Sequence, residues 1–155
     1  MPCQREREGL RYTEAQHAVA LKEQTRAMRS TVIVVAIRLA ISASLAVSGV
    51  IHAYLYLTGY RDIPTIGPGF LVQAIVFCVL ALLILVGGPD WLRWVAGVLS
   101  VGALVAFALS RTVGLFGFAE RGWNPSPQAA ISVIAEVVTV VFVAASIQSS
   151  RTKTH

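Results

Sequence analysis

Charged residues make up only 14% of this 155-residue chain, where a soluble domain carries about a quarter. That shortage excludes an ordinary water-facing surface. Cysteine is equally scarce: Cys3 and Cys78 stand far apart and outside any Cys-x-x-Cys pair, which excludes a disulfide framework and argues against thiol-redox chemistry. There is no phosphate-binding glycine loop, zinc motif, nucleophile elbow or aspartate pair, so the ordinary enzyme classes lose support. No cofactor or metal is expected. Asn124-Pro125-Ser126 is not a glycosylation acceptor, because proline fills its middle position. No internal repeat suggests duplicated transporter halves.

Apolar residues are what the chain has in abundance, at 55% and a mean hydropathy of +0.68. They gather in four runs, Val32 to Leu57, Ile66 to Val86, Trp91 to Ser110 and Ser126 to Ile147. Each approaches or exceeds the roughly 20 residues that a helix needs to cross a hydrocarbon layer. Lipid supplies no hydrogen-bond partners, so the backbone must satisfy itself within each span, and uninterrupted aliphatic runs without strand alternation do so as helices. The expectation is an all-α integral membrane four-helix bundle over 31–148, with a polar arm over 1–30, a tail over 149–155 and no second folded domain. The first apolar run is too long, and the arm before it too extended, for a cleaved secretory signal.

Arginine and lysine set the expected orientation. The arm, the Arg93 connection and the Arg151/Lys153 tail lie on one side, with Arg61 and Arg121 on the other. The richer side is cytoplasmic by the positive-inside rule, so both termini face inward and the 58–69 and 111–127 loops face outward. The formal charge of +5 is explained by topology and by anionic lipid, without nucleic acid.

The connections carry turn signals. Tyr60-Arg61-Asp62-Ile63-Pro64-Thr65-Ile66-Gly67-Pro68-Gly69 favours a defined turn, and the short Gly87-Gly88-Pro89-Asp90 makes spans two and three antiparallel neighbours. Gly114-Leu115-Phe116-Gly117-Phe118 either extends the third helix or caps the outer interface. Trp91 and Trp94 read as inner interfacial anchors; Tyr54, Tyr56, Tyr60 and Trp123 read as outer ones. Ala36, Ala40, Ser44 and Ser48 form a small-residue track that admits a crossing helix. Leu10, Ala15, Ala18, Val19, Leu21 and Met28 make a weak apolar stripe in the arm. Two readings of the arm stay open: a helix on the membrane face or on a partner, and a mobile segment.

Five polar residues interrupt the apolar runs: Arg38, His52, Gln73, Arg111 and Glu136. A charge at a span's centre costs about 2.5–3.5 kcal/mol on insertion scales, so such residues face one another or a wet cavity. At 1.5 Å per residue, His52, Gln73, Arg111 and Glu136 all fall roughly 6–13 Å below the outer boundary, if the third helix runs on to Gly117. These four are the candidate ligand-binding residues. The sharpest structural expectation is an Arg111–Glu136 pair with His52 and Gln73 close by, and Ser132 and Gln128 lining the same groove. Ser100, Phe107 and Gly114 share the face of Arg111. The bland alternative is a packing lock without function. Arg38 is expected to snorkel to the inner headgroups. His52 lacks the companions that a metal or haem site needs, since His17 and His155 lie on the other side.

Tyr60-Arg61-Asp62-Ile63-Pro64-Thr65-Ile66-Gly67 and Ser110-Arg111-Thr112-Val113-Gly114-Leu115-Phe116-Gly117-Phe118, followed by Glu120 and Gly122-Trp123, resemble segments of small four-span integral membrane proteins of actinobacteria. The resemblance covers about residues 38 to 147. It implies a multi-pass fold in a bacterial plasma membrane and supplies no activity. The leading functional expectation is a non-catalytic accessory, assembly or scaffold subunit of a larger membrane complex or homo-oligomer. The competing one is a binding or transport module for a small anion, lipid headgroup, quinone or proton at His52, Gln73, Arg111 and Glu136. A polar, water-accessible cavity at that depth favours the second, and a dry, fully paired Arg111 and Glu136 the first.

Overall fold

In a computed structural model of the chain, the backbone is described over residues 3–151 and the side chains over 16, 17 and 19–148. Cys3, the start of the arm's apolar stripe, Lys153 and His155 lie outside the described side chains. Every regular element among the described residues is a helix: α1 (Cys3–Leu55), α2 (Ile66–Leu85), α3 (Trp91–Thr112) and α4 (Gln128–Arg151). Stretches of all four are long and apolar enough to cross a membrane, over Val19–Tyr60, Ile66–Leu85, Trp91–Thr112 and Gln128–Gln148. Twenty residues of helix rise about 30 Å, the thickness of a hydrocarbon core.

The chain divides into two compact units, Met1–Ala36 and Ile37–His155. The first is helical from Cys3 onward. Nearly all of its described side chains are exposed, Val19, Leu21 and Met28 among them.

The second unit holds the bundle. Its apolar core joins Ile41 and Leu45 of α1, Phe77, Leu80, Ala81 and Ile84 of α2, Leu92 and Ala96 of α3, and Val143 of α4. The remaining faces are apolar too: Val72, Ile75 and Leu82 on α2, Val98, Val101 and Val105 on α3, and Ile134, Val137 and Val141 on α4 are all exposed. Such extensive exposed apolar surface suits a lipid environment and would aggregate in water.

Small residues let the helices approach. A Cβ on Gly49 would lie 2.8 Å from Cys78 Sγ and 3.2 Å from the Ala74 carbonyl oxygen, so α1 and α2 touch there by backbone. The connection from α2 to α3 is a Schellman closure: Gly88 N–H donates to Leu83 O at 2.9 Å and Gly87 N–H to Ile84 O at 3.2 Å, with Gly87 at φ +93°. This tight stop is what the Gly87-Gly88-Pro89 signal predicts. Arg38 reaches this connection, its Nη1 3.0 Å from where a Gly87 Cβ would stand. Arg38 thus lies away from the other polar span residues, at the end where snorkelling was expected.

At the opposite end, α1 finishes in a π turn, Tyr56–Tyr60, and α3 stops at Thr112. Gly114, at φ +81°, returns its N–H to Leu109 O at 2.9 Å and turns the chain. Leu115 and Phe118 then exchange two backbone hydrogen bonds, of 2.7 and 2.9 Å. Of the two readings of the 114–118 stretch, the structure takes the cap.

Candidate functional site

A cavity of about 90 Å³ opens among the helix ends that carry the 61–65 and 113–127 loops. His52, Gln73, Arg111 and Glu136, reached from sequence by depth alone, all line it. Ser132 lines it as expected, whereas Gln128 does not, and its buried Oε1 has no hydrogen-bond partner. Ser100 is fully buried away from the cavity. The space is enough for a few waters or one small molecule, given about 30 Å³ per water.

The inner wall centres on Glu136, which is 2% exposed. Three neutral donors from three helices converge on its Oε1: Ser48 Oγ of α1 at 3.1 Å, Gln73 Nε2 of α2 at 3.1 Å and Ser132 Oγ of α4 at 3.2 Å. None of the three serves Oε2. Ser48 also bridges to His52, its Oγ lying 3.4 Å from Nδ1. The stronger contact of that nitrogen is with the Ser48 carbonyl, at 2.8 Å. A carbonyl only accepts, so Nδ1 carries the proton and Nε2 is the ring's acceptor when the imidazole is neutral. The imidazole is held edge-on to Phe70, with centroids 5.1 Å apart.

The outer wall centres on Arg111, in the last turn of α3, where a cation suits the helix dipole. Its Nη1 donates to Glu120 Oε2 and its Nη2 to the Asn124 carbonyl. Its guanidinium carbon lies 4.6 Å above the Phe107 ring, which stacks on Trp123 with centroids 5.8 Å apart. Tyr60 donates its hydroxyl to the other Glu120 oxygen and packs on Phe70 and Phe118. Glu120 is fixed by its own backbone, whose N–H returns to Ser110 O at 3.1 Å.

The expected Arg111–Glu136 pair is therefore corrected: the partner of Arg111 is Glu120. The cause is the length of α3. Ending at Thr112, it leaves Arg111 only roughly 2 Å below its end, while Glu136 lies roughly 12 Å into α4. Among the described residues the only ion pairs are Arg111–Glu120 and Asp90–Arg93, the latter at the far end of α3. Glu136 is thus buried with hydrogen bonds but no counter-ion. The described residues also offer no group of three His, Cys, Asp or Glu side chains fit for a metal.

Three participants escaped the sequence reading. Ser48 was a packing residue, Tyr60 an interfacial anchor and Glu120 part of a loop motif. The nine-residue interval from Arg111 to Glu120, across two glycines, was the available signal for a folded-back ion pair. Tyr60 lay beyond periodicity, because Gly59 leaves the helical region at φ 177°. No family model, no curated protein and no solved structure matches this chain.

Proposed function

We propose that this chain is a non-catalytic multi-pass protein of a bacterial plasma membrane, of the actinobacterial four-span type, whose bundle binds a small ligand in an outward-facing pocket. The observation that carries this reading is the cavity, lined at once by His52, Gln73, Arg111 and Glu136. A site that served packing alone would have closed over these side chains, because open space beside buried polar groups forfeits dispersion contacts. Mostly apolar walls with a few convergent polar groups, as here, are the usual make-up of ligand pockets. Both termini lie in the cytoplasm on this reading, following the distribution of arginine and lysine.

The test is reagent access. In a Cys3→Ala/Cys78→Ala background, a cysteine introduced by Ala129→Cys in the cavity wall is expected to react with a small, membrane-impermeant thiol reagent added outside intact cells. Absence of reaction in cells, alongside full reaction after denaturation, would overturn the pocket or its orientation; reaction only in inverted vesicles would overturn the orientation alone.

A second reading has its own support in the first unit, where Val19, Leu21 and Met28 stand exposed among charges on a helix. Such a face suits a partner helix, and an accessory subunit of a larger membrane complex would use it. Co-purification from native membrane in mild detergent tests it: a chain that emerges alone, with or without residues 1–30, counts against a partner.

A further inference from the structure

Resting on that pocket reading, we infer that the cavity receives a primary alkylammonium group, its cationic centre against Glu136 and His52 and its alkyl portion among Phe70 and Phe118.

Charge makes the first argument. Arg111 and Glu120 neutralise each other at the outer wall. Glu136 has only neutral donors, all on Oε1. When Glu136 is ionised and the imidazole neutral, the cavity carries one net negative charge, which repels an anion and which a bound cation neutralises. Arg111 cannot move in to serve Glu136 without abandoning Glu120, the Asn124 carbonyl and the Phe107 face together.

Hydrogen-bond polarity makes the second. The unserved carboxylate oxygen of Glu136 is an acceptor, and the Ser48 carbonyl fixes His52 so that Nε2 is one as well. With Glu136 ionised, two residues that line one space each offer an acceptor, which calls for a donor with several N–H groups, as an ammonium has. The walls make the third. Phe70 and Phe118 line the cavity, and their rings offer apolar surface to an alkyl chain while giving a metal ion no ligand. Among the described residues no three His, Cys, Asp or Glu side chains group as a metal site, whereas hard cations demand six or more oxygen ligands.

The same ammonium chemistry occurs in free amines and in ethanolamine headgroups of lipids. The experiment uses the full chain in nanodiscs of phosphatidylglycerol, which has no amine, with empty discs as the blank. Equilibrium binding is measured for butylammonium, butanol and butyrate. Butylammonium is expected to bind, with butanol and butyrate far weaker, and Glu136→Gln is expected to weaken it about 30-fold or more. Glu136→Asp, which keeps the charge, retains part of the binding. If Glu136→Gln does not fold, the order of the three probes on the unaltered chain still decides.

Butanol or butyrate binding as well as butylammonium, with the pocket cysteine reactive, overturns the ammonium class and spares the pocket. Failure of all three probes with a reactive pocket cysteine likewise overturns this inference alone. Failure of all three with an unreactive cysteine overturns both. Discs containing phosphatidylethanolamine separate the sources: competition with butylammonium supports a headgroup ligand, and its absence supports a free amine.

Discussion

The two halves of the bundle are built from the same helices by different means. Toward the Gly87–Asp90 connection, Ile41, Leu45, Phe77, Leu80, Ile84 and Val143 fill the space by shape. Toward the other end, α1, α2 and α4 meet through Ser48, Gln73 and Ser132 on one carboxylate oxygen, and a cavity remains. Buried polar groups are costly in lipid, where nothing else satisfies them, so a half built around one is held open by something other than packing. The contrast teaches that the apolar half supplies stability and leaves the polar half free to keep a cavity beside a carboxyl group that has no counter-ion among the described residues.

Deleting a large side chain from the apolar half should produce the largest loss. Phe77 is 2% exposed and touches the centre of the core. Phe77→Ala is expected to destabilise the detergent-solubilised protein by about 3–5 kcal/mol, as transfer and cavity terms add. Glu136→Gln, equally buried in the polar half, keeps shape while removing a buried carboxyl group that has no counter-ion among the described residues, so it should cost far less than Phe77→Ala, because an unpaired buried charge is itself unfavourable. Reversible unfolding in mixed micelles measures both. An equal loss at the two positions would erase the distinction between the halves.

Much of this division was legible beforehand, and the illegible part has physical causes. The helices follow from apolar run length, the stops of α1 and α2 from the proline-rich 60–69 segment and Gly87-Gly88-Pro89, and α4 begins just after the proline-rich 124–127 segment. Depth counting brought His52, Gln73 and Glu136 to one level, and Arg111 lines the same cavity although it stands at the end of α3 rather than at that depth. It did not yield the partner of Arg111, because run length alone does not reveal that α3 gives way to a glycine turn at Gly114. Nor did it reveal Ser48 as a donor to Glu136. A small-residue track looks the same whether its hydroxyls return to their own helix or reach across to another.

The corrected pairing is the next effect in size. Arg111→Gln and Glu120→Gln, singly and combined, should show a coupling of about 1–3 kcal/mol, because the pair is partly buried and shares one loop. The corresponding cycle between Arg111 and Glu136 should stay within about 0.5 kcal/mol of additivity, as expected without contact. A strong Arg111–Glu136 coupling would restore the direct pair and dissolve the separate inner and outer walls.

The finest comparison is between two serines one helical turn apart on α1, of which Ser44 carries the smallest effect. Ser44 exchanges a 2.7 Å hydrogen bond with Thr139, while Ser48 donates to Glu136 at 3.1 Å. The Ser44 contact joins neutral hydroxyls, each of which also donates or can donate to a carbonyl of its own helix, so Ser44→Ala should cost about 0.6 kcal/mol, the mean for such bonds in membranes. Ser48 serves a carboxyl group, and bonds to charged groups run to about 1.5–3 kcal/mol, so with Glu136 ionised Ser48→Ala should cost at least twice as much. The difference should vanish in a Glu136→Gln background, where both serines face neutral partners. If Ser48→Ala remains the costlier there, its role is packing along the small-residue track, and the carboxylate does not organise the polar half.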